Sequence, residues 1–289
     1  MESTSLYDLE PGATLAERYR IVGPHRQTGL AAAFEAIDEA ETGESQRCEV
    51  SLYAHSFFES REQALQFAAS WTPWMRVEKN AVLHVREVAS LSPTSFLLVT
   101  DFPPGKTLRD DLAERKRLEA PEVVEIGRQL LSGLVGVHGH GLVHGDLKPA
   151  TIYVDRSESV RTIMVDGGVT PGLWSAKQLG EKTALIGTPF YAPIEQFGGD
   201  SPNIQSDIYN VATVLFEALT GVLPWGGKSF LEVFQAKLDK TPPSMQRRAP
   251  DVDVEPQLEQ AIVTGLLADK SQRYATSKEF LDRLDALAV

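Results

Sequence analysis

Cysteine is nearly missing from this chain: Cys48 is the only one in 289 residues. A single thiol excludes an internal disulfide framework and is what a reducing compartment leaves behind. Basic charge is also scarce. Lys and Arg number 28 against 40 Asp and Glu, a net charge of −12. That balance disfavours nucleic acid and anionic membrane surfaces as partners. Long apolar runs are absent too, and without a run of about 18 apolar residues no membrane insertion is expected. Met1 to Glu10 is polar and acidic and lacks the basic-then-apolar order of a signal peptide. Together these shortages point to a cytoplasmic protein. What is present is ordinary, with 42% hydrophobic residues to supply a core.

The pattern changes character midway. Residues 1–16 suit a flexible leader. From Tyr19 to Val99 strands dominate, at Arg20–Val22, Ala32–Ile37, Cys48–Tyr53, Val82–Val88 and Phe96–Thr100, with one helix over Ser60–Trp74. In the third strand Cys48, Val50 and Leu52 share one face, and Glu49, Ser51 and Tyr53 the other. Pro103-Pro104-Gly105 marks a hinge. Beyond it the periodicity is helical, over Pro121–His138, Ile208–Leu219, Phe230–Leu238, Leu258–Leu267 and Ser277–Leu287. The expected fold class is α+β and bilobal, with a small β-rich lobe over 17–102 and a larger helical lobe over 103–289.

Several segments carry chemistry. His144-Gly145-Asp146-Leu147-Lys148-Pro149-Ala150-Thr151 stands before the apolar strand Ile163-Met164-Val165, which runs into Asp166-Gly167-Gly168. Gly187-Thr188-Pro189-Phe190-Tyr191, Pro193-Ile194-Glu195, Ser206-Asp207-Ile208-Tyr209 and Arg273 follow in order. In that order they resemble the landmarks of the protein kinase family, most closely bacterial Ser/Thr kinases of eukaryotic type, over roughly residues 18 to 287. The His-Gly-Asp triplet is also similar to small-molecule phosphotransferases, but Lys148, Gly187–Tyr191 and Ser206–Tyr209 argue against that branch.

The resemblance assigns roles residue by residue. Asp146 matches the residue that accepts the substrate hydroxyl's proton, Lys148 the one that steadies the transferred phosphoryl, and Asp166 the Mg²⁺ ligand. Arg273 matches the arginine that pairs with Glu195. The nucleotide site would be lined by Ser51, Asp101, Pro103, Thr151, Tyr153 and Asp166.

Several positions depart from the family. Arg26, Thr28 and Ala31 stand where three glycines would cradle phosphate. Ser51, or Tyr53 in the alternative register, stands where a lysine would bind phosphate, and Ala69 where a helix glutamate would hold that lysine. Pro103 has no N–H to offer adenine. Thr151 replaces a metal-binding Asn, and Gly145 replaces the arginine that reads a phosphate at Thr183 or Thr188. Tyr153 either crowds adenine or packs in the core.

Glu49 would face the cleft and repel phosphate, or lie harmlessly at the strand rim. Arg26 would touch phosphate, or be a solvated loop residue. Trp71 and Trp74 suit core packing, with an exposed docking face as the alternative. His138, His140 and His144 lack the companions of a zinc site.

The expected function is that of a pseudokinase with no ATP/Mg or only weak binding of it. It would bind another protein, as a scaffold or as a regulator of an active kinase or signalling effector, through the Trp71–Trp74 face or the Thr188–Glu195 groove. The alternative is a slow Mg-ATP-dependent Ser/Thr kinase.

Overall fold

Between Thr14 and Asp101 the chain forms six strands, and all of them pair antiparallel. They are β1 (Thr14–Leu15), β2 (Tyr19–Gln27), β3 (Ala31–Asp38), β4 (Arg47–Tyr53), β5 (Val85–Ser92) and β6 (Ser95–Asp101), in the order β1-β2-β3-β4-β6-β5. The computed structural model describes residues 9–27, 31–53, 58–79, 81–92, 95–177, 188–239 and 241–287. Thr28, Thr183 and Gly187 lie outside the described residues.

The chain divides into two compact units. The first is Met1–Lys79, Leu83–Pro103 and Ser175–Lys177, and the second is Asn80–Val82, Pro104–Trp174 and Gln178–Val289. In the first unit, Cys48, Val50 and Leu52 join Tyr19, Ile21, Phe34, Leu97 and Val99 in a core on one sheet face. Helix α1 (Arg61–Ala69) starts at Ser60, whose side chain accepts from the Gln63 N–H. It ends well before Trp74, because Pro73 opens a separate 3₁₀ turn, Thr72–Arg76. Trp71 and Trp74 are buried, with Trp71 meeting Phe67 edge-on and Trp74 at a tilt, so the docking-face alternative for them fails.

The second unit is helical around a buried axis. Helix α6 (Ile204–Thr220) is buried along most of its length and closes on Gly221, whose φ of 73° lets its N–H reach Glu217 O. Around it lie α2 (Leu108–Arg115), α3 (Ala120–Gly139), α4 (Val169–Ala176), α5 (Ile194–Phe197), α7 (Phe230–Lys237), α8 (Met245–Arg248), α9 (Pro256–Gly265) and α10 (Ser277–Asp285). Gly127 admits close packing, since a Cβ there would sit 2.9 Å from side chains of Leu215 and Leu284. A small sheet, β7 (Lys106–Thr107), β8 (Ile152–Asp155) and β9 (Arg161–Met164), carries the loop between α3 and β8. No helix among the described residues is long and apolar enough to cross a membrane.

Candidate functional site

The two groups of residues singled out by the sequence fall in different units. In the first unit, β3 and β4 pair so that Glu35 faces Glu49 and Ala33 faces Ser51. This places Glu49 and Ser51 on the face opposite the apolar core. Glu49 is 1% exposed, so it does not lie at a strand rim. Its carboxylate accepts from Arg26 Nε at 2.8 Å and Nη2 at 2.6 Å, and sits 2.5 Å from His25 Nδ1. Arg26 is only 15% exposed and belongs to β2, so it is not a solvated loop residue either.

The chain reaches this geometry through Pro24. Proline cannot donate into the ladder, and β2 shifts register between Pro24 and Arg26, leaving His25 and Arg26 together opposite one partner. Burial pushes the Glu49 carboxyl up, but Arg26 and His25 outweigh it and hold the group at about 2.

Most nearby positions on the first unit are also engaged internally, Thr100 excepted. Asp101 pairs with Arg86 at 2.6 Å and Lys79 at 3.2 Å. Tyr53 stacks on Phe96 with centroids 4.9 Å apart. The Thr100 hydroxyl is buried and has no hydrogen-bond partner among the described residues. Phe102 packs against His25 at 4.5 Å and lies under the Arg47 guanidinium at 3.7 Å. Pro103 follows it and is buried.

The second unit holds Asp146, Lys148, Thr151, Tyr153 and Asp166. Asp207, fully buried in the first turn of α6, accepts from the backbone N–H of His144 and of Gly145, each at 2.8 Å. That anchors the loop before it turns outward. Lys148 Nζ pairs with Asp146 and donates to Thr188 Oγ1 at 2.7 Å, while Thr188 N–H donates to Asp146 Oδ1 at 3.1 Å. Asp146 and Lys148 remain 21% and 23% exposed. The Thr151 hydroxyl faces inward, 3.2 Å from Asp146 O and 3.1 Å from Lys148 O, and accepts from Lys148 N–H at 3.1 Å. Asp166 adopts a left-handed φ of 62° directly before α4. Tyr153 is buried in β8, paired with Ile163 of β9.

Gly145 has φ of 86°, and a Cβ there would meet Pro171 at 2.5 and 2.7 Å. Pro171 therefore fills the place where a side chain would begin. Arg273 donates to Glu195 at 2.8 and 3.3 Å, as the resemblance implies. His138 binds Asp207 at 3.0 Å and His144 binds Val165 O at 2.9 Å, and no metal-ligand cluster exists among the described residues.

Sequence reasoning missed His25 as a partner of Glu49, and the signal was a proline inside a strand. It also missed Lys237. This lysine is 2% exposed, donates to Phe190 O and Ala192 O at 3.1 and 2.5 Å, and lies within 6 Å of the rings of Phe197, Tyr209 and Trp225. A lysine at the end of an amphipathic helix gives no sequence sign of burial.

Residues 73–284 match the protein kinase domain family. The probable serine/threonine-protein kinase PknB of Lactococcus lactis is 27% identical over 275 residues, covering 94% of this chain and 42% of that protein. Serine/threonine-protein kinase pkn3 of Myxococcus xanthus is 26% identical, covering 96% of this chain and 51% of that protein. This chain thus spans about half or less of the length of these relatives. Among solved structures, Rad53 1-466 in complex with AMP-PNP has a similar fold, with a TM-score of 0.75 at 17% identity over 92% of this chain and 65% of that one. With the family match running from the 3₁₀ turn after α1 to α10, over β5, β6 and the helical unit whose Glu195–Arg273 pair is made, the chain belongs to the protein kinase family.

Proposed function

We propose that this chain is a pseudokinase, a kinase domain that works by binding another protein, with its two lobes taken as residues 17–102 and 103–289. The observation that carries this is the buried Glu49–Arg26–His25 cluster. In the family, the β4 face bearing Glu49 and Ser51 offers the phosphate-binding lysine. Here it offers a carboxylate, and the nearby cation is committed to that carboxylate at 2.6 Å. An arginine already paired this way has little left for phosphate.

The donor set for Mg²⁺ is also thin. The Thr151 hydroxyl is engaged with its own loop's backbone, which leaves Asp166 as the metal ligand the family would supply. On these grounds the residues present do not fit ATP/Mg in the family's manner, and binding is absent or weak. The partner would be an active kinase or a signalling effector, met along Thr188–Glu195, in the cytoplasm.

One observation favours the alternative, a slow Mg-ATP-dependent Ser/Thr kinase. Asp146, Lys148 and Thr188 form a connected, partly exposed set, which is what a base beside a hydroxyl substrate requires. The test is a titration of ATP, with and without Mg²⁺, against the thermal midpoint. A ligand at about 100 times its Kd adds about 2.7 kcal/mol to the folded state. The proposal expects no shift at millimolar ATP. A Mg²⁺-dependent shift that Asp166→Asn abolishes, together with Asp166-dependent labelling of a protein substrate, would overturn it in favour of the slow kinase.

A further inference from the structure

Away from the catalytic loop, the second unit contains an open cleft of about 570 Å³. Three chain segments converge on it: Arg115–Arg117 at the end of α2, Thr220–Val222 at the end of α6, and Arg248–Asp251 at the end of α8. Its lining carries Arg115, Lys116, Arg117 and Arg248 against one carboxylate, Asp251. In a chain with net charge −12, four cations gathered against one acid is the reverse of the overall balance.

Two of the four are neutralised. Arg115 makes a two-pronged pair with Glu122 at 3.0 and 2.7 Å, and Arg117 meets Asp251 at 2.8 Å. The other two are available. Arg248 uses Nε on Leu223 O at 3.0 Å, and its terminal nitrogens have no acceptor among the described residues, passing instead beside Gly226. The Lys116 ammonium has no partner among the described residues.

Lys116 is also held in a costly conformation. It caps α2 at φ 68°, ψ −46°, where glycine is the easy residue. Its carbonyl is packed so closely against the end of α6 that a Cβ on Gly221 would lie 2.9 Å from it. Cations do complement helix C-termini, but that benefit needs no strained backbone, and a lysine elsewhere in the last turn would supply it. A strained residue that presents an unpaired charge to a cavity is the combination expected of a binding site.

We propose that this cleft binds a phosphomonoester carried on a peptide, with Lys116 as a point charge and the Arg248 guanidinium as the forked donor. Val222, Ala249 and Pro250 give the wall apolar surface for the peptide beside the phosphate. The site stands apart from any nucleotide chemistry and does not depend on whether the chain transfers phosphate.

The experiment is an amide chemical-shift titration of the whole chain at about 50 mM ionic strength, where exposed charges are weakly screened. The probes are a degenerate phosphoserine peptide pool, its unphosphorylated twin, and inorganic phosphate. Expected are shifts at 115–117, 220–222 and 248–251 with the phosphopeptide pool, tenfold weaker with inorganic phosphate and absent with the twin. Lys116→Gly is the decisive variant. It removes the charge and relieves the backbone, so the thermal midpoint should hold or rise while phosphopeptide affinity falls tenfold or more. Arg248→Gln should lose affinity similarly. No shifts, equal shifts with the unphosphorylated pool, or full affinity in Lys116→Gly would each overturn the proposal. Equal affinity for inorganic phosphate would overturn the peptide part and leave a small-anion site.

Discussion

Two acid–base pairs, one in each unit, show how differently the same chemistry can be used. Glu49 and Arg26 are 1% and 15% exposed, bonded through two nitrogens and flanked by His25. Asp146 and Lys148 are 21% and 23% exposed and share Thr188 on a loop anchored from behind by Asp207. The first pair is sealed, and its charges are satisfied by one another. The second keeps part of its surface in water, where a substrate group could displace one contact without stranding a buried charge. A sealed pair is a structural commitment, while an open one remains available for chemistry or binding.

The sharpest way to break this contrast is to remove one member of the sealed pair. Glu49→Ala leaves Arg26 buried without its counter-ion, and a loss of about 3–5 kcal/mol is expected in denaturant unfolding. The double change Arg26→Leu/Glu49→Leu should recover most of that loss, because neither charge is then stranded. Were Glu49→Ala neutral, the cluster would be open to solvent and the proposed loss of nucleotide binding would lose its basis.

The acid limb of stability tests the same pair. The folded Glu49 carboxyl lies at about 2 against an ordinary 4.5. Its contribution is therefore complete above 4.5 and is lost as pH falls from there towards 2, by roughly 3 kcal/mol. The double variant should show a shallower acid limb than the parent in thermal melts.

Lys237 gives the same slope from the opposite cause, since burial here disfavours the charged form. Burial lowers its amine from 10.5 to about 7, and Glu195 only partly opposes this. Between those values the unfolded chain binds more protons than the folded one, so stability rises as pH climbs from about 7 towards 10.5. Lys237→Met should flatten that rise. An unchanged slope would mean that the amine stays charged among its three rings and two carbonyls.

Gly145→Arg would restore the family residue but not its role. The left-handed backbone and the 2.5 Å approach to Pro171 predict a loss of roughly 1–3 kcal/mol, with no gain in phosphate recognition. Smallest is the open pair. Lys148→Met should cost under about 1 kcal/mol, and a larger loss would show that this pair too is structural.

Much of the second unit was legible in advance because its signals are local or ordered. The apolar period of α3 lies within a residue of the observed Ala120–Gly139, and the order of landmarks from His144 to Arg273 led to the Glu195–Arg273 pair. Less was legible where packing overrides period. The helix expected over Ser60–Trp74 stops at Ala69, and α2 and α4 carried no strong pattern.

By itself the sequence determined the alternation of β4, the helical second half and the family, since these follow from side-chain period and motif order. Only the tertiary structure decided that Glu49 is neutralised by Arg26 and His25, that Thr151 turns inward, and that Lys237 is buried. The reason is physical. Period tells which face a residue takes, but burial and charge depend on what a bulge, a register shift or a neighbouring helix brings against that face.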